Sequence, residues 1–166
     1  VKDHNGYIDV TSVEGTGTTF SLYFPIARDL AHDGNEAFSI DTVMGNGERI
    51  LVVDDVAEQR HIASAMLKRL GYSVIVAASG EDAVTYVQNN CVDLVVLDMI
   101  MTPGIDGLET YRRISSIVPG QKAVIASGFS ETRRVKSLNR LGVREYLKKP
   151  YTLEKIGQAV KRAMVD

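Results

Sequence analysis

The chain has 166 residues, 45% of them hydrophobic and 24% charged. That composition suits a globular protein with room for one ordinary domain and a smaller piece. Nineteen basic residues against 21 acidic ones give a formal net charge of −2, which is not the balance of a nucleic-acid binder. No apolar run approaches the length of a membrane span, and no basic-then-apolar leader opens the text. Cys91 is the single cysteine, so an internal disulfide is excluded. A reducing, cytoplasmic compartment is expected for this piece, whether or not its parent chain is anchored in a membrane. The text begins at Val1 and in mid-pattern, as a fragment of a longer protein would.

Residues 1–27 read as two strands. Tyr7, Ile8, Val10 and Val13 lie on one side of Glu14-Gly15-Thr16-Gly17, and Phe20, Leu22, Phe24 and Ile26 alternate on the other. Period-two alternation about a Gly-containing turn predicts a hairpin, too small to bury a core alone. Residues 28–48 hold Asp, Asn, Gly and Ser with little periodicity and read as a linker, with a short helix around Asp29–His32.

Residues 49–166 alternate strand and helix five times. The strand-like runs are 49–54, 73–77, 93–97, 122–126 and 143–147. In the first helix Ile62, Met66, Leu67 and Leu70 recur at spacings of three and four, and Gly71 follows as a stop. Ser79 with Asp82 resembles an N-cap pair opening the second. Pro103 and Gly104 precede a third helix carrying Leu108, Tyr111 and Ile114. The fourth is expected from after Ser130 to Gly142, and the fifth from about Leu153 to Met164. This alternation predicts a parallel sheet with helices on both faces. Leu51–Val53 and Leu94–Leu97 are apolar throughout, as strands covered on both faces are.

Two of these strands end in bare carboxylate: Val53-Asp54-Asp55 and Leu97-Asp98. A third, Tyr146-Leu147, ends in Lys148-Lys149-Pro150. Ligands of open parallel sheets bind beyond the carboxyl ends of the strands, where the strand order reverses. Acids ending the first and third strands fit the order 2-1-3-4-5, whose reversal falls between those two. Carboxylates gathered there resist ionising together, and a divalent cation removes that penalty. Mg²⁺ takes oxygen ligands and commonly shares them between carboxylates and a phosphate. Asp98 is then the candidate nucleophile for an acyl phosphate, with Asp54 and Asp55 holding the metal directly or through water. Lys149 supplies a mobile positive charge for phosphate oxygens, and Ser127 a hydroxyl. One strand-terminal Asp is often merely solvated; three acids and a Lys-Pro step at strand ends are harder to dismiss.

These residues resemble a response-regulator receiver domain over 49–166. The match lies in Val53-Asp54-Asp55, Leu97-Asp98, Asp106-Gly107, Ala126-Ser127-Gly128, Tyr146 and Lys149-Pro150, in that order. The resemblance implies a flavodoxin-like fold, a doubly wound five-stranded parallel sheet with five helices. It implies Asp98 as phosphoacceptor, Asp54 and Asp55 as metal acids, and Ile100 as a main-chain carbonyl ligand of Mg²⁺. Ser127 and Tyr146 would be a switch pair, and the Lys149–Pro150 bond would be cis. The stretch Met99–Ile105 is one residue longer than the usual loop of the family, with Met101-Thr102-Pro103 where Met-Pro is common, so a bulge is expected beside the site.

Residues 1–27 resemble the last hairpin of a histidine-kinase ATPase domain, through Gly6-Tyr7-Ile8-Asp9-Val10, Ser12 and Gly15-Thr16-Gly17-Thr18-Thr19-Phe20 to Phe24-Pro25. The asparagine box and Gly-rich lid that hold Mg-ATP are absent, so this piece is read as a phosphoacceptor and not a turnover enzyme. Hairpin, linker and receiver in that order imply a hybrid sensor histidine kinase. The implied partners are the phosphohistidine-bearing dimerisation domain of the same chain and a histidine phosphotransfer protein, with no nucleic acid or membrane contact. The hairpin, or the face of the fourth helix, fifth strand and fifth helix, is a candidate dimer surface. Arg133, Arg134, Lys136 and Arg140 make that fourth helix basic. Two other classes compete. A receiver-like module that is never phosphorylated would lack Mg²⁺ binding. A hydrolase with an Asp nucleophile would need an acid two residues on, where Ile100 stands.

Overall fold

In the computed structural model, residues 6–24, 39–128, 141–143 and 145–165 are described. The chain forms two compact units, Val1–Ala37 and Phe38–Asp166. The first holds strands β1 (Tyr7–Val13) and β2 (Gly17–Tyr23). They pair antiparallel with Tyr7 opposite Tyr23 and Val13 opposite Gly17. The expected hairpin is therefore present. Its turn closes with Thr16 N–H donating to the Val13 carbonyl at 3.0 Å. The short helix read around Asp29–His32 lies outside the described residues.

The second unit is built on β3 (Arg49–Val53), β4 (Ser73–Ala77), β5 (Leu94–Asp98), β6 (Ala123–Ser127) and β7 (Glu145–Lys148). All neighbouring pairs are parallel, in the order β4-β3-β5-β6-β7. This is the doubly wound flavodoxin-like order that the strand-terminal acids implied. The described helices are α1 (Ala57–Arg69), α2 (Gly80–Asn89), α3 (Gly107–Ile117) and α4 (Leu153–Val165). The last of these is the fifth helix of the sequence reading. The expected fourth, with Arg133, Arg134, Lys136 and Arg140, falls on residues outside those described. Among the described residues no helix is long and apolar enough to cross a membrane.

The apolar strands divide their side chains between two cores, because successive residues of a strand face opposite ways. Ile50, Val52, Val96 and Val124 pack with Ala63, Leu67 and Leu70 of the α1 segment and Ile156 and Val160 of α4. Leu51, Val53, Val95, Leu97 and Ile125 pack with Ala83 and Val87 of α2 and Tyr111 and Ile114 of α3. Burying a side chain of this size stabilises the fold by about 1.5–3 kcal/mol relative to leaving it in water. The central strands are thus covered on both faces, as their unbroken apolar runs required.

Two details differ from the sequence reading. Ile62 is 46% exposed; the buried stripe of the first helix runs through Ala63, Leu67 and Leu70 instead. Leu67 and Leu70 belong to both stripes; Ala63 stands four residues before Leu67 as Ile62 does before Met66, so spacing alone could not choose between them. The end of the expected linker, residues 39–48, also belongs to the second unit. Val43, in a 3₁₀ turn at Ile40–Val43, is buried in the α1/α4 core. Gly45 and Gly47 donate to the Leu70 and Gly71 carbonyls at the end of α1, and Lys161 Nζ donates to the Met44 carbonyl at 3.1 Å. The two glycine amides satisfy carbonyls left open just past the end of α1.

Candidate functional site

Register brings the charged residues together. Val53 pairs with Leu97, Asp98 with Ala126, and Ser127 with Lys148. The residues next along β3 and β7, Asp54 and Lys149, therefore meet Asp98 and Ser127 at one carboxyl edge. The loops there are locally determined. Asp54 Oδ1 accepts the Val56 N–H at 2.9 Å, an Asx turn that starts the chain into α1. Arg60 Nη1 on that helix donates to the Asp54 carbonyl at 2.6 Å. Across the edge, Asp106 caps α3 by accepting the Glu109 N–H at 2.9 Å. Gly107 follows because a Cβ there would stand 2.2 Å from the Asp98 carbonyl oxygen, a distance no side chain tolerates. Lys149 N–H donates to the Ser127 carbonyl at 2.9 Å, and the Lys149–Pro150 bond is cis, as the resemblance implied.

Asp54, Asp55 and Asp98 each offer one carboxylate oxygen, and these three oxygens lie within 4.8 Å of one another. Lys149 Nζ stands 2.6 Å from Asp54 Oδ2 and 3.0 Å from Asp98 Oδ1. Its side chain and those of both acids are no more than 16% exposed. Burial pushes the Asp98 carboxyl above its ordinary value, and the adjacent ammonium only partly offsets that. Burial works against the Lys149 ammonium too, but Asp54 and Asp98 outweigh it and hold its pKa above that of an ordinary lysine. Three carboxylates and one ammonium leave two negative charges uncompensated. Only oxygen donors are offered, which suits a hard dication. Opposite oxygen ligands of Mg²⁺ stand about 4.2 Å apart, so the 4.8 Å span fits such an ion with two direct ligands or with one reached through water.

The other expected site residues are placed less decisively. Ile100 turns its side chain to solvent at 46% exposure, so only its main chain can serve the pocket. Ser127 is half-buried at the end of β6. Tyr146 lies on β7 beside Ile125; its ring packs on the α2/α3 core and its hydroxyl donates to the Val143 carbonyl at 3.4 Å. Met99 and Met101 are buried in that same core. His61 is exposed on α1. Three neighbours carried no signal in the sequence. Arg60 acts through a main-chain carbonyl. Tyr151 is packed beside Lys149, and burial raises its hydroxyl pKa. Glu81 accepts the Ile105 N–H from a loop 24 residues away in the chain.

Fold and pocket together define a class: a flavodoxin-like α/β domain with an acidic, cation-suited pocket at its topological switch point. The family is narrower than that class. The model of the response regulator receiver domain matches residues 50–161, and the chain belongs to that family, a module of two-component signalling. Sporulation initiation phosphotransferase F of Bacillus subtilis is 32% identical over 115 residues, 69% of this chain and 92% of that protein. The autoinducer 1 sensor kinase/phosphatase LuxN of Vibrio harveyi is 30% identical over 171 aligned residues, 92% of this chain. The chain spans only 20% of LuxN. Response regulator TrrA of Thermotoga maritima, solved in complex with Mg²⁺-BeF, matches with a TM-score of 0.63 and 32% identity, over 70% of this chain and 98% of TrrA.

Proposed function

We propose that the chain accepts a phosphoryl group on Asp98, with Mg²⁺ held by Asp54, Asp55, Asp98 and the Ile100 carbonyl. The observation that carries this reading is Lys149 bridging Asp54 and Asp98 in a buried pocket with two surplus negative charges. A carboxylate oxygen of Asp98 attacks the phosphorus of a phosphohistidine. The phosphorus–nitrogen bond breaks, its electron pair stays on the imidazole nitrogen, and that nitrogen takes up a proton. The product is an acyl phosphate. When bound, Mg²⁺ supplies the charge that lets these carboxylates and the phosphoryl oxygens share the pocket. Lys149 already sits where phosphoryl oxygens arrive and exchanges a carboxylate partner for one of them. Ser127 donates its hydroxyl to the phosphoryl group, and Tyr146 follows by turning inward, altering the face formed around β7.

Residues 1–27 are proposed as the closing hairpin of a kinase ATPase domain, 28–48 as the connection, and 49–166 as the receiver. The alignment with LuxN supports this reading, because it reaches well beyond residues 50–161. The donor would be the phosphohistidine of the same parent chain and the acceptor a histidine phosphotransfer protein. Intact mass after incubation with acetyl phosphate tests the core of the proposal. One phosphoryl group should be gained with Mg²⁺ and none without it. An unchanged mass in both conditions would mean a binding module that works unphosphorylated.

A further inference from the structure

The loop between β5 and α3 is tied down at three points. Thr102 N–H donates to Asp55 Oδ2 at 2.9 Å. Ile105 N–H donates to Glu81 Oε1 at 3.0 Å. Gly107 N–H donates to the Met99 carbonyl at 3.1 Å and closes the loop at its base. Glu81 comes from the first turn of α2, and its carboxylate fills the space against Gly104. A Cβ at Gly104 would meet Glu81 Oε2 at 2.7 Å, and the Gly104 φ of +112° disfavours any other residue there. The loop therefore has one amide on a pocket acid and, three residues on, another held by an acid that is not in the pocket.

Asp55 is the least buried of the three acids, so packing fixes it least. Its orientation rests on the Thr102 amide. That amide stays in place only if the loop is held, and Glu81 is the side chain that holds it away from the pocket. Outer partners that orient a metal ligand without touching the ion commonly change affinity by 10–100-fold when removed.

We infer that Glu81 is a positioning residue for the cation pocket: by clamping the 102–105 loop it keeps the Thr102 amide on Asp55 and so sets the affinity for Mg²⁺. This rests on the proposed Mg²⁺ site. Glu81→Ala removes the acceptor; Glu81→Gln keeps an oxygen for the Ile105 amide and removes only the charge.

Two measurements on the whole chain separate the outcomes: calorimetric titration with MgCl₂, and amide hydrogen exchange at Thr102 without metal. The clamp predicts that Glu81→Ala weakens Mg²⁺ binding by about tenfold and speeds exchange at Thr102. Glu81→Gln should match the unaltered chain in both, because its side-chain oxygen still accepts the Ile105 N–H. Equal weakening in both variants would assign the effect to charge at a distance and overturn the clamp. So would Glu81→Ala binding Mg²⁺ like the unaltered chain, or leaving Thr102 exchange unchanged. If the unaltered chain binds no Mg²⁺ while Thr102 exchange still responds to Glu81→Ala, the metal reading fails and the loop clamp survives as a structural contact.

Discussion

The two edges of the parallel sheet carry the same kinds of residue and use them differently. At the amino edge, charges are satisfied one at a time. Asp93 Oδ2 accepts the Arg49 N–H at 2.6 Å, and the Asp93 N–H returns to the Arg49 carbonyl at 2.8 Å. Glu145 pairs with Arg162 at 3.1 Å, and Arg162 is 58% exposed. At the carboxyl edge, Asp54, Asp98 and Lys149 converge and are buried. Local pairing in water costs little and contributes little. Convergence of buried charges works against folding and stores an unmet demand for positive charge. A functional pocket is marked by that demand, which the described residues of the amino edge do not show.

The strongest way to break the contrast is to remove the cation of the carboxyl edge. Lys149→Met leaves two buried carboxylates side by side. It should destabilise the metal-free chain by about 3 kcal/mol at neutral pH, measured by urea unfolding. Lys149 is held above the ordinary lysine pKa, so its contribution is complete below that ordinary value and is lost as pH rises through the raised one. Alkaline unfolding curves of the variant and the unaltered chain should therefore converge.

Asp98→Asn works in the opposite direction. A carboxyl raised by burial penalises the native state once it ionises. That penalty is absent below the ordinary carboxylate range, where Asp98 is protonated in both states, and is complete above the raised pKa. The variant should be about 1 kcal/mol more stable at pH 7, and its advantage should vanish as pH falls through the carboxylate range. A melting series from pH 7 to pH 3 checks the sign. An advantage that grew with acid would contradict the account.

Arg162→Ala tests the amino edge and should change stability by no more than about 0.5 kcal/mol. A loss comparable to that of Lys149→Met would erase the distinction between the edges.

The fold and the contrast between its edges were legible in the sequence to different degrees. Apolar runs such as Leu94–Leu97 announced strands buried on both faces, and their terminal acids put the charged site at the carboxyl edge of a parallel sheet, in keeping with the order 2-1-3-4-5. The hairpin showed in period-two alternation about a glycine turn. What stayed hidden depends on contacts between distant segments. Val43 docks from a stretch without periodicity. Ile62 loses its place to Ala63 because helix period does not fix helix rotation. Glu81 reads as an ordinary first-turn acid until the loop at Ile105 folds onto it.

The central claim is that the converging charges make Asp98 the carboxylate that carries phosphate. Borohydride trapping after treatment with acetyl phosphate and Mg²⁺ tests it directly, since reduction of an aspartyl phosphate leaves homoserine at the modified position. The account predicts homoserine at position 98 alone in the mapped peptides. Homoserine at position 54 or 55, or an unmodified Asp98 in a chain that has gained phosphate, would contradict it.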